Sequence, residues 1–304
     1  MRFIIYNPKT ELFTFFVNSL IQELNIHNIT NIYHVQTNKI NMSFSELNKP
    51  DKTDIILILL NPHFIFDYPE ICAELNSINK TYIYKILYIT EPINFLVEKK
   101  VYQQIIQQIK PYCLWTYTKE NFNKLNTYIK TFKVYPSYNE SINIININNQ
   151  KNNYNKSKIV FIGNITENRK PITQIFSEHD MLIHYENKWT KEEWKHILEN
   201  NLFYLNIHRR LNCKSFETFR INNILANGGY IISEKCNVEE EEYYSKYNIV
   251  FVERSLLYDT FLNISKSIDY NDILQKALLF RENMLHNNFE LNEYIKYHNK
   301  IKND

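Results

Sequence analysis

KSFETFRINNILANGGYIISE, Lys214 to Glu234, sets side by side two of the 3 glycines in a chain of 304 residues. Glycine permits left-handed turns and close backbone approach, so a chain this sparing with it uses it where geometry demands it. Before the pair the spacing is helical. Ile221 and Leu225 lie on a face suited to packing on a sheet, while Arg220, Asn223 and Asn227 recur at i, i+3, i+7 with Glu217 one turn earlier. After the pair, YIISE has the composition of a strand. The stretch therefore reads as a helix stopped by a left-handed Gly228, a close passage at Gly229 and a buried strand. Upstream, LFYLNIH (Leu202–His208) forms another strand, and Arg209, Arg210 and Lys214 line the loop that follows. Ser215 is placed to cap a helix starting near Phe216. Strand, basic loop, helix, strand is a βαβ unit, and it implies a parallel α/β sheet.

The same alternation extends outward. In the first half, RFIIY, NIYHV, DIILILL, YKILYIT, CLWTY and FKVYP read as strands, separated by amphipathic stretches such as TELFTFFVNSLIQEL and VYQQIIQQI. DIILILL has no polar interruption, as a strand buried on both faces requires. The pattern lapses in an Asn-rich, aperiodic segment that reads as a linker, then restarts with KIVFIG (Lys158–Gly163) and runs through MLIHY, KEEWKHILE and NIVFV to a helical end. The expected organisation is a first α/β domain over 1–145, a linker over 146–157, a second α/β domain over 158–285 and a last helix over 286–304, each domain built on a doubly wound parallel sheet.

Composition narrows the partners. A net charge of +2 with no dense basic block argues against a nucleic-acid partner. Cys72, Cys113, Cys213 and Cys236 lack metal-ligand spacing and read as free thiols, and the expectation is of no metal or other cofactor. No apolar run reaches membrane-spanning length and the start of the chain lacks a signal-peptide core. The expected location is the cytoplasm.

In open parallel sheets ligands lie beyond the carboxyl ends of the strands. The candidates there are Glu91 and His63 in the first half, and Gly163, Asn164 and the His208-Arg209-Arg210 loop in the second. Backbone N–H groups at the start of the Phe216 helix, with Arg210 and Lys214 before it, suit a phosphate. Arg220, Asn223 and Glu217 on one helical face suit a phosphate together with ribose hydroxyls. Glu91 and His63 follow buried strands, where a carboxylate or imidazole can serve as general base. Each has a plain structural alternative: an ion pair for Arg220 and Glu217, a satisfied histidine at His208, a helix cap at Glu91, and a solvated acidic run at Glu239–Glu242.

FRINNILANGGYIISE resembles the donor-site helix of GT-B glycosyltransferases, in their group-1/family-4-like and spore-protein-like branches. KIVFIGNITENRKPI and LFYLNIH resemble the strands that flank that site. The resemblance covers about Lys158 to Glu253 and extends to the first half only in layout. It implies two Rossmann-type domains facing a cleft, a last helix returning to the first domain, and metal-independent transfer of a sugar from a nucleotide-diphosphate donor (UDP-, GDP- or dTDP-linked) to a glycan or glycoprotein acceptor. By position, Gly163 and Asn164 would face the donor phosphates, with Arg169 and Lys170 balancing their charge. Ser215 and Asn223 stand where relatives carry two glutamates, one for the donor sugar and one for the ribose. With both missing, a nucleotide-sugar epimerase and a non-catalytic scaffold stay open beside the transferase. Enzymes of this kind with this Asn-, Ile- and Lys-rich bias resemble those of giant DNA viruses, which would place the chain in the host cytoplasm.

Overall fold

Uninterrupted apolar runs become the inner strands of two parallel sheets. The structure, a computed structural model, describes residues 2–7, 14–36, 53–60, 78, 80, 83–90, 93, 96–134, 143–147, 154–186, 188, 190–211, 214, 216–285 and 289–303. The chain divides into two compact units, Met1–Ser137 together with Asn288–Asp304, and Tyr138–Asn287.

The first unit holds β1 (Phe3–Asn7), α1 (Thr14–Ile26), β2 (Ile32–Gln36), β3 (Ile55–Leu60), β4 (Tyr84–Ile89), α2 (Leu96–Ile109), β5 (Cys113–Thr116), α3 (Lys119–Leu125) and β6 (Thr131–Lys133). Its sheet runs β2-β1-β3-β4-β5-β6 with every pairing parallel. β3 lies between β1 and β4, and Ile55 to Leu59 are buried on both faces. Ile4, Ile56, Ile58, Leu87 and Leu114 pack with Tyr102, Ile105 and Ile109 of α2. The last helix, Phe289–Asn303, belongs to this unit. Its Tyr294 meets Trp115 edge-on at 4.9 Å and Phe132 at 5.6 Å, and accepts a 2.7 Å hydrogen bond from Tyr112.

The second unit holds β7 (Ile159–Ile162), α4 (Lys170–Glu178), β8 (Leu182–Tyr185), α5 (Lys191–Asn200), β9 (Phe203–Asn206), α6 (Thr218–Ala226), β10 (Tyr230–Glu234), α7 (Val238–Tyr244), β11 (Ile249–Val252), α8 (Leu257–Ser267) and α9 (Tyr270–Leu285). Its parallel sheet runs β11-β10-β9-β7-β8, so the strand order reverses between β7 and β9. Successive strand residues face opposite sides. Phe203 packs under α8 through Phe261 (5.4 Å), which also meets Phe176 of α4. Tyr204, on the other face, donates to the Ile197 and Asn201 carbonyls at the end of α5.

The double glycine has two distinct jobs. Gly228 stops α6 at φ +77°, while a Cβ on Gly229 would lie 2.4 Å from Ile224 Cγ2 and 2.7 Å from the Tyr204 ring. Asn227, read from the sequence as part of a ligand-facing stripe, is committed to structure instead. Its Oδ1 accepts from the Ile144 and Ile145 N–H groups at 2.9 and 3.1 Å, and its Nδ2 donates to the Asn223 carbonyl at 2.7 Å. Residues 143–147 thus pack on α6 with the second unit. The acidic run begins α7, and two of its members take backbone donors: Glu240 accepts from Phe216 N–H (3.3 Å) and Glu241 from Cys236 N–H (2.7 Å).

Candidate functional site

Where the strand order reverses, the loops after β7 and β9 and the start of α6 bring two arginines onto one carboxylate. Arg169, at the N-cap of α4, lies with its guanidinium carbon 5.2 Å from the Phe161 ring centroid. Its Nε donates to the Ile207 carbonyl (2.9 Å), its Nη1 to the Asn164 carbonyl (3.0 Å) and its Nη2 to Glu217 Oε1 (2.9 Å). Arg220, in the first turn of α6, donates from Nη1 to the Ile162 carbonyl (2.5 Å) and from Nη2 to Asn206 Oδ1 (3.2 Å), and pairs with Glu217 Oε2 at 2.7 Å. An ordinary helix-surface pair would stop at the last of these contacts. Arg220 is instead fixed across the carboxyl ends of β7 and β9.

Gly163 makes room for this. It follows β7 at φ +129°, and a Cβ there would lie 3.1 Å from Arg220 Nη1 and 3.7 Å from Arg169 Nη1. Its N–H donates to the Tyr185 carbonyl (2.8 Å), and its own carbonyl is 2.7 Å from His184 Nε2.

The carboxylate is the outermost of the three groups. Relative side-chain exposure is 5% for Arg169, 15% for Arg220 and 38% for Glu217. Burial works against a charge on Glu217, but Arg220, Arg169 and His208 outweigh it and hold its pKa below the ordinary carboxylate range. Burial lowers the pKa of Arg169, with Arg220 and Arg209 adding to the effect and Glu217 opposing it. A guanidinium starts high enough to stay charged.

The other expected residues fall into four groups. Asn223 is 4% exposed, and its side-chain amide makes no hydrogen bond among the described residues. Asn164 is exposed in the β7–α4 connection, Lys170 is exposed at the start of α4, and Arg210 is half-buried in the loop after β9. That connection is tied to the basic loop, since Thr166 Oγ1 and Asn168 Nδ2 both donate to the Arg209 carbonyl (3.3 and 3.4 Å).

His208 and Phe216 are placed as framework. The His208 N–H donates to Glu234 Oε2 (2.6 Å) and its Nε2 lies 2.8 Å from the Lys235 carbonyl, while Glu234 Oε1 also pairs with Arg254 at 3.0 Å. Phe216 is fully buried against Tyr244 (4.6 Å) and Phe251 (5.6 Å). Its ring is core and its N–H donates to Glu240 (3.3 Å). The helix accordingly begins at Thr218 rather than Phe216, with Glu217 at the N-cap making no side-chain cap bond. Ser215, Glu91 and His63 lie outside the described residues.

Two contributors were not anticipated. Asn206 ends β9, receives Arg220 and donates to Ser233 Oγ (2.9 Å). Glu234 anchors the His208 loop. The signal for each is a polar residue ending an apolar strand run.

Guanidinium groups converging on carboxylate oxygens also have the geometry to hold phosphate oxygens. Among the described residues, no group of three or more His, Cys, Asp or Glu could hold a metal ion, and no helix is long and apolar enough to cross a membrane.

No protein-family model matches the sequence, and no curated protein matches it. Solved structures do match in shape. An alpha-glucosyltransferase in complex with UDP and a 13-mer DNA containing an HMU base aligns at TM-score 0.61 and 11% identity, covering 98% of this chain and 99% of its own. The alpha-glucosyltransferase with UDP and a 13-mer DNA carrying a central A:G mismatch aligns at 0.59 and 10%, covering 98% and 100%. The N-terminal domain of a trehalose-6-phosphate phosphatase from Candida albicans aligns at 0.53 and 10%, covering 95% and 93%. At these identities the likeness defines the fold: a two-domain, GT-B-like α/β architecture with a helical C-terminal tail, shared with UDP-binding glycosyltransferases. Two of these neighbours hold DNA. A whole-chain charge of +2 therefore does not exclude a nucleic-acid partner on this fold, since local cation clusters rather than the sum meet phosphates.

Proposed function

We propose that the protein is a glycosyltransferase that moves a sugar from a nucleotide-diphosphate donor to an acceptor hydroxyl. The observation that carries this is the convergence of Arg169 and Arg220 beside Gly163, at the reversal of strand order in the second unit. As the sugar–phosphate bond breaks, negative charge grows on the departing diphosphate. Two pre-positioned guanidinium groups stabilise that charge without reorganising, the work done elsewhere by a bound cation. Asn223, buried and with its amide uncommitted among the described residues, would bond ribose hydroxyls as a neutral donor and acceptor. UDP is the favoured nucleotide because two similar structures hold it. Acceptors to try are glycans, glycoproteins and, given those two structures, DNA. A general base from Glu91 or His63 completes the proposal for an inverting reaction.

Ligand-observed NMR without added metal, against UDP-, GDP- and dTDP-sugars, tests the donor. Selective binding competed by the free nucleotide diphosphate supports the reading. Arg169→Gln and Arg220→Gln each remove charge-assisted hydrogen bonds worth about 1.5–3 kcal/mol, so each should weaken UDP binding by about tenfold to a hundredfold. Near-normal binding in both variants would remove the site from consideration. The non-catalytic alternative rests on Ser215 and Asn223 standing where relatives carry glutamates. It is favoured if the folded protein binds no donor in the panel.

A further inference from the structure

Glu217 is more exposed than either of the arginines it pairs with. The other partners of the two guanidinium groups are neutral: the Ile207, Asn164 and Ile162 carbonyls and the Asn206 side chain. Glu217 is the one anion paired with either of them among the described residues, and it uses one oxygen for each arginine. It is also the most exposed of the three, so an incoming anion meets the carboxylate first.

The side chain is free to leave without disturbing α6. The helix uses the Glu217 carbonyl, which accepts from Arg220 N–H and Ile221 N–H at 3.1 Å each, and takes no capping bond from the carboxylate. We propose that Glu217 is a resident anion in the phosphate cradle, and that a donor binds by displacing its carboxylate from Arg169 and Arg220, so that the cradle accepts a diphosphate and turns away a single phosphate. This rests on the reading that the cradle takes a donor diphosphate.

The selectivity follows from charge and tethering. With Glu217 in place the triad carries +1, and with it displaced the two arginines carry +2, which a diphosphate can match. Glu217 is attached to the site and so competes at a high effective concentration. A single phosphate offers too little extra charge to displace it, whereas a diphosphate can place separate phosphoryl groups on the two guanidinium groups.

Isothermal titration of inorganic phosphate, inorganic pyrophosphate, UDP, GDP and dTDP into the full chain and into Glu217→Gln tests this. The expected result is at least tenfold tighter pyrophosphate binding by the variant, about 1.4 kcal/mol, and measurable phosphate binding that the parent lacks. Glu217→Asp, too short to span both guanidinium groups, should shift affinity in the same direction by less, and it serves if the Gln variant fails to fold. Equal or weaker pyrophosphate binding by the folded variants overturns the proposal, because the carboxylate would then be aiming the arginines rather than competing for them. If the variant gains pyrophosphate affinity but no nucleotide binds better than pyrophosphate to either protein, the role of Glu217 stands and the nucleotide-sugar reading falls. Absence of pyrophosphate binding to every protein overturns both.

Discussion

Replacing Gly163 with alanine should injure stability and anion binding together. At φ +129° the backbone occupies a region that residues with a Cβ rarely enter, and such strain costs on the order of 1–3 kcal/mol. The new methyl would also start 3.1 Å from Arg220 Nη1, closer than ordinary van der Waals contact. That nitrogen is at the end of a flexible side chain and can retreat, but only by loosening its 2.5 Å bond to the Ile162 carbonyl. The strain therefore registers as lost stability, and the contact registers as a displaced guanidinium. For a unit of roughly 150 residues, each kcal/mol shifts the melting temperature by about 2–4 °C, so a fall of about 2–12 °C is expected in scanning calorimetry. Pyrophosphate affinity, measured at a temperature where both proteins are folded, should drop about tenfold, which is about 1.4 kcal/mol. A melting temperature equal to the parent's would refute the strain argument. A lowered melting temperature with undiminished affinity would refute the claim that Arg220 needs its carbonyl anchor.

Gly229→Ala should cost more than Gly228→Ala in urea unfolding. The first forces a methyl against the Ile224 methyl and a Tyr204 ring held by its hydroxyl (overpacking, about 1–3 kcal/mol), while the second has ordinary space near Ile147 and pays only for a left-handed φ, about 1 kcal/mol. Glu217 also predicts a pH signature. Its folded pKa lies below the ordinary value of 4.5, so its contribution to stability is present above pH 4.5 and is lost as pH falls through the folded pKa. The difference in urea midpoint between the parent and Glu217→Gln should therefore be largest near neutrality and shrink as pH falls below 4.5; a constant difference from neutral to strongly acid pH contradicts the pairing. Tyr294→Ala removes a fully buried ring from between Trp115 and Phe132 and should destabilise the first unit by about 3–5 kcal/mol, read as lost hydrogen-exchange protection in β5 and β6. Unchanged protection there would mean that the last helix is dispensable.

The architecture was legible because its signals are periodic and local. DIILILL could be placed in mid-sheet by the unbroken apolar run from Ile55 to Leu60, and Gly228 at a helix end by the spacing before it. Around the arginine cluster, the pairing of Arg220 with Glu217 was legible from their helical spacing, but the partners from other elements were not. Nothing local says that Asn227 would spend its amide on Ile144 and Ile145, or that Glu240, 24 residues on, would take the Phe216 N–H. The start of α6 was misplaced for a related reason. Ser215 suggested a capped helix from near Phe216, but Phe216 is drawn into the core by Tyr244 and Phe251, and the Glu217 side chain answers two arginines rather than the helix. Such competition between partners distant in sequence is settled only by tertiary packing.

The return of the last helix to the first unit fixes an order of events during synthesis. The second unit is contiguous, Tyr138–Asn287, and its sheet can close once that stretch has left the ribosome. The first unit is made earlier but lacks Tyr294 until residues 289–303 emerge, so Trp115 and Phe132 wait uncovered while the whole second unit is translated. At about 5–20 residues per second, that interval lasts on the order of ten to thirty seconds. Of the two units, the one translated earlier is the one completed later, because its aromatic seam is closed from the far side of the other.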